Sequence, residues 1–313
     1  MTGQKTLRSP VPVSGIGLHS GLPIRMVVKP ADGHTGIVFV RTDLAAGTSR
    51  TGIDERIIHA RWDAVTDTRL CTVISNEYGA SIATVEHLMA ALRGCGIDNA
   101  LIEIEGPEVP VMDGSAAPFV RLFDAVGRRT LPASRNVIRV LKTVSVADGN
   151  RSVAISPSAT CQFTMEIDFQ AISVGRQRGS IHLTTDLFAE SIAPARTFGF
   201  LRDVAALQAS GLAKGGSLEN AIVVDDDAGI MNPGGLRFAD EFVRHKILDS
   251  IGDLYLAGAP IVGHFHGVRS GHALNNLLLR TLFADDSAWC YDTADVPFEA
   301  PVTHEYRSLA AIA

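Results

Sequence analysis

The sequence predicts an α+β fold of two similar domains, each a mainly antiparallel sheet packed on a helix pair, with the helices sandwiched between the sheets. Three observations carry this prediction. A length of 313 residues corresponds to about two domains of roughly 100 to 200 residues each. Short β-branched runs with turn signals begin both halves of the chain. A helix–strand–helix order then follows in each half.

The first half is predicted to alternate strands with two helices. Residues 24–28 and 37–40 are β-branched runs separated by turn signals such as Asp32-Gly33. A helix should begin after Thr84 as its N-cap and end at the glycines near 95, because apolar residues recur at helical spacing: Val85, Leu88, Met89 and Leu92. A strand at 100–104 and a helix at 115–126 complete a first domain, 1–127. The polar stretch 127–136 is interpreted as a linker.

The second domain, 136–313, is predicted to repeat this plan. Its strands are expected at 137–146, 153–155 and 163–169, where the last run alternates as a half-buried strand does. A helix at 238–257, a strand at 261–265 and a helix at 270–283 then follow. We interpret the shared order as a weak internal duplication whose helix pairs pack against each other.

Composition and charge limit the classes of binding partner and the cellular compartment that fit the sequence. Hydrophobic residues make up 46% and charged residues 20%, which are globular proportions. The net charge of −6 lacks the basic excess of a protein that binds nucleic acid. No run reaches the roughly 18 apolar residues of a membrane span, so any contact with a membrane would be peripheral. Four scattered cysteines without a signal peptide predict reduced thiols and a cytoplasmic protein.

The strongest chemical signal is a helix ridge of His245, Asp249 and Asp253 at i, i+4 and i+8. An imidazole and a carboxylate on successive turns can bind one metal ion. The same spacing also occurs on a solvated helix face, where a His–Asp pair only stabilises the helix. The apolar neighbours leave little room for such a face and favour the metal site: Phe242, Val243, Leu248, Ile251 and Leu254.

His87 is the candidate third ligand. It follows Glu86 in the first turn of the predicted helix, where a glutamate is also favoured by the helix dipole and a histidine is often capping or packed. What favours a functional interpretation is its placement, because His87 and His245 occupy corresponding helices of the two halves.

Three further segments each have a functional and a purely structural interpretation. His272, after Gly271 at a predicted helix start, is either a general acid or a capping histidine. The Gly-rich turn 214–217 either cradles a phosphate or lines a channel, or is an ordinary turn. The apolar run 195–204 is either core or the wall of an apolar tunnel.

Together these segments resemble the UDP-3-O-acyl-N-acetylglucosamine deacetylases, the zinc amidases of lipid A biosynthesis in Gram-negative bacteria. The resemblance spans residues 9–283 and is carried by GIGLHSG (15–21), TVEHLMAAL (84–92), PVMDGS (110–115), ARTFGF (195–200), GGS (215–217), FVRHK (242–246), Asp249, Gly252-Asp253 and SGHALNN (270–276). Departures from the family pattern lie in passage positions and in the tail at 296–313. They leave the acyl-length preference open.

The resemblance implies a role for each matching residue. The zinc ligands would be His87, His245 and Asp249, and Glu86 would be the general base. His272, backed by Asp253, would be the acid or electrostatic partner, and Thr197 would bind the oxyanion. Contacts to the sugar nucleotide would come from His19, Lys142 and Lys246. The acyl passage would be formed by Leu18, Phe198, Leu201, Val204, Gly216 and Ser217.

The resemblance also implies a small β insert in the first domain, a βαβ insert at 184–224 in the second, and a UDP-sugar substrate with a fatty acyl chain. The reaction would be hydrolysis of the N-acetyl group to acetate and a free amine, the committed step of lipid A biosynthesis. The first domain would supply Glu86 and His87, and the second His245, Asp249, Asp253 and His272, so the site should lie in the groove between them. Two alternatives stay open: a zinc amidase for another acylated sugar or a peptide, and a non-catalytic ligand-binding module of the same fold.

Overall fold

The first half of the chain forms a five-stranded sheet, a small three-stranded sheet and two helices. The computed structural model describes residues 3–47, 52, 54–293 and 307–309. In chain order the elements of this half are β1 (Gly3–Leu7), β2 (Val11–Ile16), β3 (Pro23–Pro30), β4 (Ile37–Arg41), β5 (Ile57–His59), β6 (Val65–Asp67), β7 (Val73–Ser75), β8 (Ser81–Ile82), α1 (Glu86–Gly94), β9 (Ala100–Glu105), α2 (Ala117–Val126) and β10 (Arg128–Ser134).

The five-stranded sheet has the order β2-β3-β9-β4-β5, and its single parallel pair is β4 with β9. In β3 the side chains of Ile24, Met26 and Val28 are buried at every second position, as expected for a sheet with one face on the core. The strands β6, β7 and β8 form a separate three-stranded antiparallel sheet, in the half where the resemblance implies a small β insert.

The second half contains an eight-stranded sheet, a three-stranded insert and four helices. In chain order its elements are β11 (Asn136–Val140), β12 (Val144–Asp148), β13 (Arg151–Ser156), β14 (Cys161–Asp168), β15 (Arg176–His182), α3 (Thr185–Leu187), β16 (Phe198–Phe200), α4 (Leu201–Ala209), β17 (Ile222–Asp225), β18 (Gly229–Ile230), α5 (Glu241–Tyr255), β19 (Ile261–Val268), α6 (His272–Phe283), β20 (Trp289–Thr293) and β21 (Arg307–Leu309). A π-helical turn, Phe188–Ile192, follows α3.

The large sheet of this half runs β12-β13-β19-β14-β15-β21, with β11 joining it beside β19 and β20 beside β11. Most of its pairs are antiparallel, and β19 lies parallel to β14 and to β11. In the insert, β16 and β17 pair in parallel across α4, which is a βαβ unit. None of the residues of α4 is buried, so this helix lies at the surface.

The two halves meet where α1 packs against α5. Every residue of α1 is buried. Gly252 of α5 faces the start of α1, and a Cβ atom at this position would overlap the carbonyl oxygen of Glu86. The absence of a side chain at Gly252 therefore allows the close helix contact that brings the polar ridge of α5 next to Glu86 and His87.

The predicted fold class is confirmed, as is the helix–strand–helix order of each half. Three local predictions are wrong. The strand expected at 137–146 is two strands, β11 and β12, with residues 141–143 between them. Thr84 is not an N-cap: its φ is +57°, and its hydroxyl donates to Glu108 Oε1 at 2.9 Å, while no side chain caps the helix N-terminus by accepting from its N–H groups. The stretch 127–136 is not a free linker, because β10 pairs with β1 along the edge of the first half.

Two expectations concern membranes and the tail. None of the helices in the described part of the chain combines the length and apolar character needed to cross a bilayer. The tail at 296–313 lies outside the described residues apart from β21.

Candidate active site and metal centre

Three side chains from the two packed helices converge on one point. His87 is the second residue of α1, and His245 and Asp249 lie one turn apart on α5. One ligand atom of each lies within 4.8 Å of the others, and all three residues are at most 3% exposed. Among the described residues, this is the one group of His, Cys, Asp and Glu side chains close enough to share a metal ion.

The spacing of the ligand atoms fits a tetrahedral zinc ion. Bonds of about 2.0–2.1 Å to nitrogen and oxygen place neighbouring ligands roughly 3.3–3.4 Å apart. Asp249 Oδ1 lies 3.3 Å from His245 Nε2 and 3.7 Å from His87 Nε2. This oxygen is buried and accepts no hydrogen bond from any described residue, so it is free to bind a cation.

Two of the three ligands, His245 and Asp249, have hydrogen-bond partners that fix the atoms directed away from the cluster. His245 Nδ1 donates to the Ala195 carbonyl oxygen at 3.1 Å, which leaves Nε2 with its lone pair directed at the cluster. The other oxygen of Asp249 accepts from Lys246 Nζ at 2.5 Å. Two imidazole nitrogens and one carboxylate oxygen form a set that suits zinc with an open fourth position.

Electrostatics keep these side chains in the form that binds metal. Burial lowers the pKa of His87 to about 3, aided by the nearby His245. Burial likewise lowers the pKa of His245. Burial alone would raise the pKa of Asp249, but His245 and Lys246 outweigh it and hold that pKa below its usual range. Two neutral imidazoles and one carboxylate result.

Glu86 and His272 face each other beside the cluster. Burial, with the charges of Asp253 and Asp249, raises the pKa of Glu86 to about 7 even though His272 opposes this shift. Burial lowers the pKa of His272, but its bond to Asp253 outweighs that and raises it to about 9. His272 Nε2 lies 3.9 Å from Glu86 Oε1. A group that can accept a proton therefore lies next to one that can donate a proton at neutral pH.

Asp253 organises this pair through both of its oxygens. Its Oδ2 accepts from His272 Nδ1 at 2.8 Å and from Asn275 Nδ2 at 2.9 Å, and its Oδ1 accepts from Thr72 Oγ1 at 2.6 Å. The backbone N–H of Thr72 also donates to Glu86 Oε2 at 3.0 Å. Thr72 was missed from the sequence because it lies in a loop with no periodic pattern. Asn275, three residues after His272, could have been found from helical spacing.

The segment that carries Thr197 runs alongside α5. Thr197 N donates to the Gly114 carbonyl oxygen at 2.8 Å, and Ala195, two residues earlier, holds His245. Between them, Arg196 makes a buried ion pair with Glu241, one turn before His245 on α5. The ring of Phe198 lies 6.2 Å from that of His245. Thr197 therefore lies on a backbone segment fixed to the metal cluster at both ends.

The structure brings some predicted substrate contacts together. Leu18 faces Gly216, where a Cβ atom would lie 3.7 Å from Leu18 Cδ1. His19 is buried, and burial together with the charge of His272 lowers its pKa despite Glu108. Leu201 and Val204 lie on α4, directly after the strand of Phe198, and Ser217 follows Gly216.

The two predicted lysine contacts lie apart from each other. Lys246 contacts Asp249 of the cluster and also lines a cavity of about 490 Å³ together with Phe169, Arg269 and Ser270. Lys142 pairs with Asp285, just beyond the C-terminus of the 12-residue α6, whereas His272 is the first residue of that helix. A helix of this length spans about 18 Å, so the structure does not bring Lys142 to the cluster.

Comparison with known proteins identifies relatives over almost the whole chain. A family model described as UDP-3-O-acyl N-acetylglycosamine deacetylase matches residues 4–284. Proteins named UDP-3-O-acyl-N-acetylglucosamine deacetylase include one from Phenylobacterium zucineum, 48% identical over 91% of this chain and 95% of its own. One from Shewanella violacea is 44% identical over the full length of both chains. One from Geotalea uraniireducens is 47% identical over 92% of this chain and 91% of its own.

Proposed function

The chain belongs to the UDP-3-O-acyl N-acetylglycosamine deacetylase family, and from that premise we propose that it is a zinc-dependent hydrolase of UDP-3-O-acyl-N-acetylglucosamine. The products would be acetate and UDP-3-O-acyl-glucosamine, and the reaction would be the committed step of lipid A biosynthesis in the cytoplasm. The observation that carries the proposal is the buried cluster of His87, His245 and Asp249 with Glu86 and His272 beside it.

Each residue of the proposed site has a separate role in the reaction. Zinc bound by the three ligands would supply Lewis-acid chemistry that polarises the acetamide carbonyl and makes water more acidic. Glu86 takes a proton from the attacking water as the water oxygen bonds to the carbonyl carbon. The Thr197 hydroxyl donates to the oxyanion that develops. His272 gives its proton to the sugar nitrogen as the C–N bond breaks, so that a neutral amine leaves.

Asp253 prepares His272 for this role. Its carboxylate accepts from His272 Nδ1, which orients Nε2 toward Glu86 and favours the charged ring. The proposed site also takes residues from both proposed domains. Residues 1–127 supply Glu86 and His87, and residues 136–313 supply the other ligands and the acid.

The remaining predicted contacts are assigned to the two ends of the substrate. Lys246 and His19 would bind the sugar nucleotide, because Lys246 reaches from the cluster to a cavity that also contains Arg269. The acyl chain would pass along Leu18 and the insert at 184–224, which supplies Phe198, Leu201, Val204, Gly216 and Ser217. A contact from Lys142 to the sugar nucleotide stays a prediction.

Three measurements on the purified full chain test the proposal: bound metal, acetate, and free amine formed from the UDP-sugar with and without its 3-O-acyl chain. We expect one zinc per chain and equal amounts of acetate and amine from the acylated substrate. Release from other acylated sugars but not from this one would favour the broader amidase alternative. A protein without zinc or turnover would be a ligand-binding module, and the proposal would be wrong.

A further inference from the structure

A buried carboxylate outside the reaction chemistry joins two parts of the site. Glu108 is 1% exposed and follows the turn after β9. Its Oε1 accepts from the backbone N–H of His19 and from the Thr84 hydroxyl, each at 2.9 Å. Its Oε2 accepts from the backbone N–H of Ser20 at 2.8 Å. Glu108 therefore binds both residues 17–20, here called the 17–20 loop, and Thr84, which lies two positions before Glu86.

The backbone of the loop wraps closely around this carboxylate. A Cβ atom at Gly17 would overlap Glu108 Oε2 and Ser20 Oγ. Gly17 N–H donates to the Leu22 carbonyl oxygen, and its own carbonyl accepts from Gly21, each at 3.0 Å. The loop therefore has the shape of a cradle around Glu108, and an acceptor-only group fits the N–H and O–H donors that point inward.

The other side of the loop contacts the segment before the β17 strand. Leu18 O accepts from Gly215 N at 3.0 Å, and His19 O accepts from Lys214 N at 3.2 Å. A Cβ atom at Gly215 would overlap the Gly17 carbonyl oxygen, so the two backbones touch directly. The position of Leu18 opposite Gly216 depends on this backbone contact between the two segments. Glu108 binds the opposite side of the 17–20 loop.

We propose that Glu108 is a positioning residue that sets the acyl-length preference of the enzyme. It holds the 17–20 loop, and with it the Leu18 wall of the acyl passage, in a fixed place relative to the helix start that carries Glu86. The proposal rests on the deacetylase function proposed above. Glu108 acts through the loop, because its own carboxyl is fully covered by that loop and by Thr84.

Glu108→Gln tests this with almost no change in size. The amide NH₂ must face one of the three donors, so at least one hydrogen bond is lost and the loop is released on that side. We expect KM for a long-acyl substrate to rise about 10-fold or more, the scale of losing one hydrogen bond to a charged group. A short-acyl analogue shares the His19 contact that this loop also carries but does not reach Leu18, so we expect its KM to rise by a smaller factor, about 3-fold, and its kcat to change less than about 3-fold. Zinc content should stay at one per chain.

Asp98→Asn is the matched control. Asp98 is also a carboxylate in the first half that accepts a backbone N–H, from Lys5 at 2.7 Å, and a side-chain donor, from Arg135 at 2.8 Å. It touches neither the 17–20 loop nor Thr84. We expect it to lower the unfolding temperature as Glu108→Gln does, without any change that depends on acyl length.

Gly17→Ala provides a second variant, because its added methyl group pushes directly on Glu108 and Ser20. It should reproduce the acyl-length effect, whereas Gly234→Ala, which has no atom within 4 Å of the added group, should not. Equal losses for both substrates in Glu108→Gln and Gly17→Ala, or the same length dependence in Asp98→Asn, would overturn the proposal. A wild-type protein that releases no acetate would instead refute the proposed function.

Discussion

The metal cluster and the acyl-passage wall differ in how their residues are held. His87, His245 and Asp249 are at most 3% exposed and come from two helices in direct contact at Gly252. The proposed passage wall would be formed by the 17–20 loop and the surface helix α4, in which Leu201 is 40% exposed. The cluster is enclosed by the protein core, whereas the proposed passage wall lies at the surface.

This difference implies a division of function. Closely packed helices hold reacting groups with the precision that catalysis requires, because small displacements there are costly. A peripheral insert can change its shape at little cost to the core, which suits a surface that sets substrate length. Changes in the cluster should therefore affect every substrate, and changes in the passage should affect only long acyl chains.

The largest effects are expected from the cluster itself. His245→Ala and Asp249→Ala each remove a ligand, so we expect most of the bound zinc and at least about 10³-fold of the activity to be lost on all substrates. Glu86→Gln should keep one zinc per chain and lose about 10²- to 10⁴-fold in kcat, because a general base acts on the barrier and not on metal affinity. Metal analysis and kinetics on the same preparations check both. Normal zinc and normal turnover in His245→Ala would rule out the assigned centre.

The sequence itself points to the cluster, whereas the passage is predicted from the family resemblance alone, and the reason is physical. His245, Asp249 and Asp253 lie on one helix, so their spacing already implies a shared face. His87 was found only through the parallel order of the two halves. Phe198 and Gly216 were assigned from the family pattern, since no local periodicity separates a passage wall from core.

Contacts between segments distant in the sequence could not be predicted. Glu108 lies in a turn-rich segment and bonds to residues 24 and about 88 positions away. The same bond explains why Thr84 fails as an N-cap, because its hydroxyl is directed to Glu108. The pairing of β10 with β1 likewise brings the two ends of the first half of the chain together. The polar composition of 127–136 does not reveal this pairing.

An intermediate effect is expected in the pH dependence of kcat/KM. Glu86 must be deprotonated, so activity should rise as pH increases through about 7. His272 must be protonated, so activity should fall as pH increases through about 9. Asp253→Asn removes the negative charge that raises the pKa of His272, so the alkaline limb should move toward acid pH. His272→Ala should flatten that limb and lower the maximum.

Asp240→Asn is the control for this measurement, because Asp240 precedes the same helix and pairs with Arg244 away from His272. Its alkaline limb should match that of the wild type. An unmoved alkaline limb in Asp253→Asn would mean that another group, such as Lys246, titrates there, and the assignment of His272 as the acid would have to be withdrawn.

The smallest effect on the chemistry is expected at Gly216, where the comparison between cluster and passage is tested most directly. Gly216 has only the Ala213 carbonyl oxygen and Leu18 Cδ1 near its missing side chain, at 3.4 and 3.7 Å. In Gly216→Leu the added Cβ already meets Leu18 Cδ1 at contact distance, so the rest of the new side chain must displace Leu18 or turn into the proposed passage. There it takes space that acyl methylenes would use, each worth about 0.8 kcal/mol when buried. Displacing two or three of them should raise KM for a long-acyl substrate by roughly 10- to 50-fold. Zinc content and kcat for a short-acyl analogue should match the wild type, because the residues beside Gly216, Ala213 and Leu18, are not members of the cluster. Gly234→Leu, which has no atom within 4 Å of its Cβ position, serves as the control for an added leucine. Equal losses for long and short substrates would show that the acyl chain passes elsewhere or that the insert and the cluster move together. Either result would contradict the division between an enclosed reaction centre and a peripheral region that sets acyl length.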